Sequence, residues 1–323
     1  MAVHRKGRLD GQAALVTGSS RGLGLLIARE LARRGCSVML CARDAAELKR
    51  AEAFVRESCG NGTRVRSVTA DVTGPGVALE LVDATTEAFG GLDVLVNNAG
   101  VIQVGPLGAM TEDDFRSAME TMYFAPLRLT LAALEGMRER GHGRIVNISS
   151  IGGRIPAPHL LPYDAAKFAA AGLSQGLRAE LAQEGISVTT VLPGLMRTGS
   201  HRGARFSGQA GREYAWFAAA AALPLLSMDA ERAARAIVRA AERGRPELVL
   251  TALAKVGVRL HGVAPATTTR ALSLAARLLP GPGPDPRHLV PGHEAAHETG
   301  SAALGRLTVL NDRAADRYNQ HAA

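Results

Sequence analysis

Residues Ala13 to Gly35 read AALVTGSSRGLGLLIARELARRG. The opening AALVT is a short apolar run of the kind that forms a buried parallel strand. The closing LLIARELARRG carries apolar residues at helical spacing. Between them lies Gly18-Ser19-Ser20-Arg21-Gly22-Leu23-Gly24. Glycines at a strand-to-helix turn let the backbone approach a pyrophosphate, and the helix N-terminus then faces its negative charge. Gly18, Ser20, Arg21, Gly22, Leu23 and Gly24 are therefore the expected phosphate cradle. A glycine cluster alone marks only a tight turn; the strand before it and the helix after it carry the nucleotide reading.

The pattern repeats outward from there. Ser37–Ala42 (SVMLCA) reads as a second strand, Val65–Thr69 as a third, Val94–Val96 as a fourth, Arg144–Ser149 as a fifth, Ser187–Leu192 as a sixth and Glu247–Thr251 as a seventh. Helical patterns separate them. One begins after Thr111, its expected N-cap, with acidic residues in its first turn and Pro126 interrupting or kinking it further on. Another is expected to be capped by Ser227. Strands alternating with helices predict an α/β fold, a doubly wound parallel sheet of the Rossmann type, with its site along the carboxyl edge.

Several residues fall at that edge. A site for NAD usually sets an acidic residue after the second strand, against the ribose 2′-hydroxyl. Here Ala42 and Arg43 stand instead, with Asp44 immediately after. An arginine suits the 2′-phosphate of NADP, which a carboxylate repels, and Arg21 can close its other side. The expected cofactor is thus NADP(H). Asp71, followed by Val72, either accepts from an adenine amine or caps the next turn. Asn98, in Asn97-Asn98-Ala99-Gly100, either meets the ligand or pins neighbouring strands.

The fifth strand delivers Ser150, and Tyr163 and Lys167 follow on one helix in LPYDAAK. Their i,i+4 spacing puts both on one face. A phenol is a poor acid and base near neutrality, with a pKa of about 10. A neighbouring ammonium lowers it, so Tyr163 can exchange a proton with a substrate oxygen that Ser150 holds. Such a set suits interconversion of a carbonyl and an alcohol.

These motifs resemble the short-chain dehydrogenase/reductase family. TGSSRGLG from Thr17, NNAG from Asn97, Ser150 thirteen residues before Tyr163-Asp-Ala-Ala-Lys167, and Pro193-Gly194 occur in the family's order and spacing. The resemblance spans about residues 9 to 250. It implies that Tyr163 is the general acid/base, that Ser150 orients the carbonyl, and that Lys167 binds the nicotinamide ribose while lowering the tyrosine pKa. It further implies cofactor contacts from Ala99, Gly100, Pro193, Gly194 and Thr198, a substrate-binding segment at 194–226, and a homodimer or homotetramer. One departure stands out. Met122 takes the position of an asparagine that in this family holds a water linking the lysine to solvent. Methionine cannot hold water in that way. Proton supply is therefore expected to be altered, and a nucleotide-binding sensor or scaffold of the same fold is the alternative to an enzyme.

The chain has 323 residues, 46% hydrophobic and 21% charged, with a formal charge of +8. These values fit a soluble globular protein. No long uninterrupted apolar stretch predicts a spanning helix, and the basic N-terminus has no apolar signal core. Cys36, Cys41 and Cys59 lack metal or framework spacing, which fits reduced thiols and a cytoplasmic setting. The arginines are scattered rather than interleaved with aromatics, which favours a solvated surface over nucleic-acid binding. Phe206, Tyr214, Trp216 and Phe217 cluster within the substrate-binding segment, in a chain with only one Trp, four Tyr and seven Phe. They suggest a bulky apolar carbonyl or alcohol as substrate, or rings that pack the loop itself. Residues 1–251 form the expected nucleotide-binding domain and 252–279 a helical extension. That extension covers the cleft, forms a subunit contact or lies against a membrane surface. Residues 280–323 are expected to be a Pro/Gly linker and loose tail.

Overall fold

The computed structural model describes residues 9–59, 63–222, 227–299 and 302–320. The first eight residues, the last three, and 223–226 of the substrate-binding segment lie outside the described residues. Seven strands form the central sheet: β1 (Ala13–Thr17), β2 (Ser37–Ala42), β3 (Val65–Thr69), β4 (Val94–Asn97), β5 (Gly143–Ile148), β6 (Ile186–Leu192) and β7 (Glu247–Val249). Their order is β7-β6-β5-β4-β1-β2-β3, with every pair parallel. The order reverses between β1 and β4, which opens the crevice where ligands of such sheets bind.

The sheet is covered on both faces. The helices are α1 (Gly22–Arg33), α2 (Ala45–Glu57), α3 (Val77–Phe89), α4 (Glu112–Met119), α5 (Ala125–Arg140), α6 (Leu161–Glu180), α7 (Ala210–Ala222) and α8 (Ala230–Glu242). On one face Leu26, Leu31, Val38, Leu40 and Ile237 form a core with α1 and α8; on the other, Leu15, Leu95, Leu129 and Ile145 pack with α3 and α5. Because β1, β2 and β4 are buried on both faces, their sequences are continuous apolar runs rather than alternating ones. Each fully buried leucine contributes about 1.5–3 kcal/mol relative to an exposed one.

Local chemistry sets the helix ends. The Asp114 carboxylate accepts from the Thr111 amide at 2.7 Å, closing the start of α4. Pro126 does not kink a continuous helix. A π-helical turn over Glu120–Phe124 separates α4 from α5, and Pro126 falls at the start of α5, where its missing N–H is harmless. Asp229, not Ser227, caps α8, accepting from the Arg232 amide at 2.9 Å. Ser227 instead begins a short strand, Ser227–Asp229, paired with Leu195–Arg197.

The C-terminal region differs from expectation. Helices α9 (Ala252–Val263) and α10 (Pro265–Ala276) form the extension, and the Pro280–Pro286 stretch is non-helical. Beyond it the chain is no loose tail. Val290–Pro291 pairs antiparallel with Arg205–Phe206, and α11 (Gly292–Thr299) and α12 (Ala302–Arg317) pack against α7. Long-range contacts order this polar segment: Arg202 bonds Asp316 at 2.7 Å, the Gly199 amide bonds Asn311 at 3.1 Å, and Tyr318 is buried in the core beside α1.

Candidate active site

Ser150, Tyr163 and Lys167 converge at the carboxyl end of β5. Ser150 Oγ accepts from the Gly152 amide at 3.0 Å and shares a hydrogen bond with Tyr163. Lys167 Nζ donates to the Ile148 carbonyl at 2.7 Å and stands 5.6 Å from the Tyr163 ring centroid. The electrostatics differ from the simple lysine-activated tyrosine. Burial pushes the Tyr163 phenol up to about 12, against the Ser150 hydrogen bond and with the help of Asp164. Burial also pulls Lys167 down to about 8. A desolvated ammonium holds its proton weakly, so its pull on the phenol fades just where activation is needed. Asp164 is buried, raised by burial to about 8, and holds the Ala157 amide at 2.7 Å; its other oxygen faces Gly152 and has no hydrogen-bond partner among the described residues.

Met122 lies inside the π-helical turn and is buried. A Cβ placed on Gly100 would meet its sulfur at 3.5 Å and Lys167 Nζ at 3.8 Å. Behind these groups is a small cavity with about 10 Å³ of room for a water centre, lined by Asn97, Ala99, Met122, Asn147, Ile148 and Lys167. That is close to the minimum for one water. Asn97 donates to Asn147 at 2.8 Å while its own buried oxygen has no partner among the described residues.

The glycine loop has the close-approach geometry of a dinucleotide cradle. A Cβ on Gly18 would lie 2.8 Å from the Ala99 backbone, and one on Gly24 would lie 2.2 Å from the Gly18 carbonyl. Leu23 and Gly24 sit in the first turn of α1, which holds no acidic residue to repel a phosphate. Asn98 donates to the Thr17 and Gly18 carbonyls at 2.9 and 3.0 Å, so its amide pins the loop to β1. Asp71 accepts from the Thr73 amide and hydroxyl at 3.0 and 2.7 Å, the turn-capping arrangement, with Val72 buried beside it. Arg43 is 66% exposed and 3.7 Å from Asp71, whereas Arg21 pairs with Glu47 at 3.0 Å and Ser20 bonds the same carboxylate. Pro193 accepts from the Ile151 amide at 2.7 Å, Gly194 packs against Thr251, and Thr198 is buried near Gly22. Glycine loop, β4 end, Ser150 and the Pro193 turn thus share one edge, as an adenine nucleotide with a nicotinamide arm requires.

The family model for the short chain dehydrogenases matches residues 12–206. The chain belongs to the short-chain dehydrogenase family. Among its relatives, 3-oxoacyl-(acyl-carrier-protein) reductase FabG of Vibrio cholerae is 35% identical over 190 residues, 59% of this chain and 75% of that protein. Gluconate 5-dehydrogenase of Gluconobacter oxydans is 34% identical over 190 residues, 59% of this chain and 73% of that protein. L-sorbose reductase from Gluconobacter frateurii, solved with NADPH and L-sorbose, superposes with a TM-score of 0.67 at 27% identity, over 76% of this chain and 97% of that one. A variant of actinorhodin polyketide ketoreductase with NADPH gives 0.66 at 32% identity, over the same shares. The short-chain dehydrogenase core is therefore an oxidoreductase scaffold with NADPH-bound structural neighbours.

In the substrate-binding segment, which forms a lid beside the dehydrogenase core, the aromatic rings take the second of their two expected roles. Phe206, Tyr214 and Phe217 are buried with Val104, Val290 and Ala295 in a core of their own. The rings pack the lid, edge to face at 5.5 and 5.9 Å, and Trp216 donates to the buried Glu213 at 2.7 Å. Glu213 also bonds His159 at 2.8 Å, and His159 adopts a left-handed φ of 67° in the loop between Ser150 and Tyr163. This pair, which clamps the lid to the catalytic loop, was not singled out from the sequence; a charged residue inside an Ala-rich aromatic helix was the available signal. Tyr318, Asn319 and Gln320 at the glycine loop also escaped, since nothing local marks them.

Proposed function

We propose that the chain is an NADP(H)-dependent oxidoreductase that interconverts a bulky apolar ketone or aldehyde and its alcohol, with Tyr163 as general acid/base. The observation that carries this is the hydrogen-bonded Ser150–Tyr163 pair on the same sheet edge as the glycine loop. NADPH bound along that edge would supply the hydride. Ser150, whose oxygen already accepts from Gly152, keeps its proton to hold the substrate oxygen. Tyr163 delivers the proton to that oxygen. Lys167, anchored on Ile148, stands beside the phenol as its source of positive charge. Asn97 and Asn147, on the cavity side of the lysine, are polar groups able to support a water there in place of Met122.

Arg43, exposed at the end of β2, supports the 2′-phosphate over a bare ribose. The apolar substrate class is supported by the loop between Ser150 and Tyr163. Its charged groups are engaged elsewhere, Arg154 with Glu247 at 3.0 Å and His159 with Glu213, which leaves the apolar Ile151, Ile155 and Pro156 partly exposed. The buried Met122 favours a second reading, a slow or silent nucleotide sensor. Initial rates with NADPH and NADH against bulky apolar ketones and hydrophilic sugars separate the readings. Consumption of NADPH with the apolar ketones supports the first. NADPH binding without turnover of any carbonyl supports the second.

A further inference from the structure

Tyr318, Asn319 and Gln320 follow directly on helix α12, and these three residues lie on the glycine loop. The Gly22 amide, the first of α1, donates to the Tyr318 carbonyl at 3.0 Å. Asn319 adopts a left-handed φ of 60° and donates to the carbonyls of Ser20 and Glu47 at 2.8 and 3.0 Å, while Arg50 donates to its oxygen at 2.9 Å. A Cβ on Gly22 would sit 2.7 Å from Gln320 Nε2 and 3.8 Å from Thr198, so the space that glycine leaves is filled by the glutamine amide. Gln320 is 7% exposed. The segment is held from behind by Arg202 on Asp312 and Asp316, by His201 on Asp312, and by Ala315 against Gly199.

Helix N-terminal amides and close backbone approach are what a phosphate needs from such a loop. From this contact we propose that Tyr318–Gln320 form an internal competitor at the nucleotide site, displaced when a dinucleotide pyrophosphate takes the Gly22 end of α1. This rests on the nucleotide reading of the loop. The test is NADPH binding to the full chain and to Asn319→Ala/Gln320→Gly, which leaves the buried Tyr318 in place. Losing side-chain hydrogen bonds from the competitor should tighten NADPH by about three- to tenfold, with adenosine, which has no pyrophosphate, unchanged. Equal or weaker NADPH binding by the variant would overturn the competition. Failure of both proteins to bind NADPH would overturn the nucleotide reading itself.

A separate observation concerns α9 and α10. The exposed side of α9 carries Leu253, Val256, Leu260 and Val263, between 52 and 88% exposed, flanked by Lys255 and Arg259. Helix α10 has no buried residue and repeats the design, with Leu274 and, just past its end, Leu278 beside Arg270 and Arg277. No Asp or Glu occurs from Leu248 to Pro284. An apolar stripe edged only by cations matches an anionic bilayer surface. We infer that this helix pair lies on anionic lipid. Gly257 touches Ile155 of the catalytic loop at 3.1 Å from a built Cβ, so the docked face would adjoin the site that takes an apolar substrate. The test is flotation with phosphatidylglycerol-containing and pure phosphatidylcholine vesicles. Binding should occur to the anionic vesicles alone and fall at least about a hundredfold when Lys255, Arg259, Arg270 and Arg277 become Gln. No binding, or equal binding to both vesicles, would overturn it. So would a dimer in solution that Leu260→Glu/Leu274→Glu dissociates, which would assign the stripe to a second copy of the chain.

Discussion

Lys167 donates from Nζ to the main-chain oxygen of Ile148 at 2.7 Å, which ties the middle of α6 to the last residue of β5, two positions before Ser150. The lysine is thus fixed by the same strand that fixes the serine. Burial brings its pKa to about 8, so the charge beside Tyr163 is lost within the working range.

The carbonyl-reducing rate should therefore fall as pH rises through about 8. Lys167→Arg, whose guanidinium stays charged, should have a lower overall rate but no such limb. A wild-type profile that stays flat to high pH would contradict the assignment.

Met122→Asn should raise turnover while leaving NADPH affinity unchanged, because the side chain borders Lys167 and the small cavity rather than the glycine loop. An amide left short of partners in this buried turn costs about 1–3 kcal/mol, so the variant should also melt earlier. Steady-state kinetics and NADPH titration check the pair; an unchanged turnover counts against altered proton supply.

Asp164 has its folded pKa raised to about 8 by burial. The unfolded carboxyl titrates near 4. The stability this group contributes is fully present below the unfolded value and is lost as pH rises through the folded one. Asp164→Asn should accordingly melt higher than wild type at neutral pH, by about 1–2 °C per kcal/mol gained, with the advantage shrinking toward pH 4. Melting curves across that range decide it; a pH-independent difference would contradict it.

Glu213 accepts from both His159 and Trp216 and is fully buried. Glu213→Ala leaves both donors without their acceptor, which costs about 1–3 kcal/mol for each buried group. The loss should fall on the lid: KM for the carbonyl should rise while NADPH affinity holds. Equal damage to both would mean that the clamp supports the whole fold instead.

The sheet was legible because its inner strands are buried on both faces, and runs such as LVT and VMLC admit little else. Ser150, Tyr163 and Lys167 were legible because strand end and helical spacing fix where they meet. Two things were not. The charge states of Tyr163 and Lys167 depend on how deeply both are buried, which spacing does not express. The C-terminal segment is ordered by partners more than a hundred positions away, such as Gly199 for Asn311 and Ser20 for Asn319, so its polar composition read as a tail. The aromatic cluster was visible, but whether its rings line a pocket or fill a lid is decided by Val104 and Val290 packing behind them.

The most direct test of the central claim is to compare wild type with Tyr163→Phe for both NADPH binding and carbonyl-dependent NADPH oxidation. Phenylalanine keeps the ring and removes the proton. NADPH affinity should stay within about twofold and turnover should fall by about a hundredfold or more. Undiminished turnover in the phenylalanine variant would contradict it.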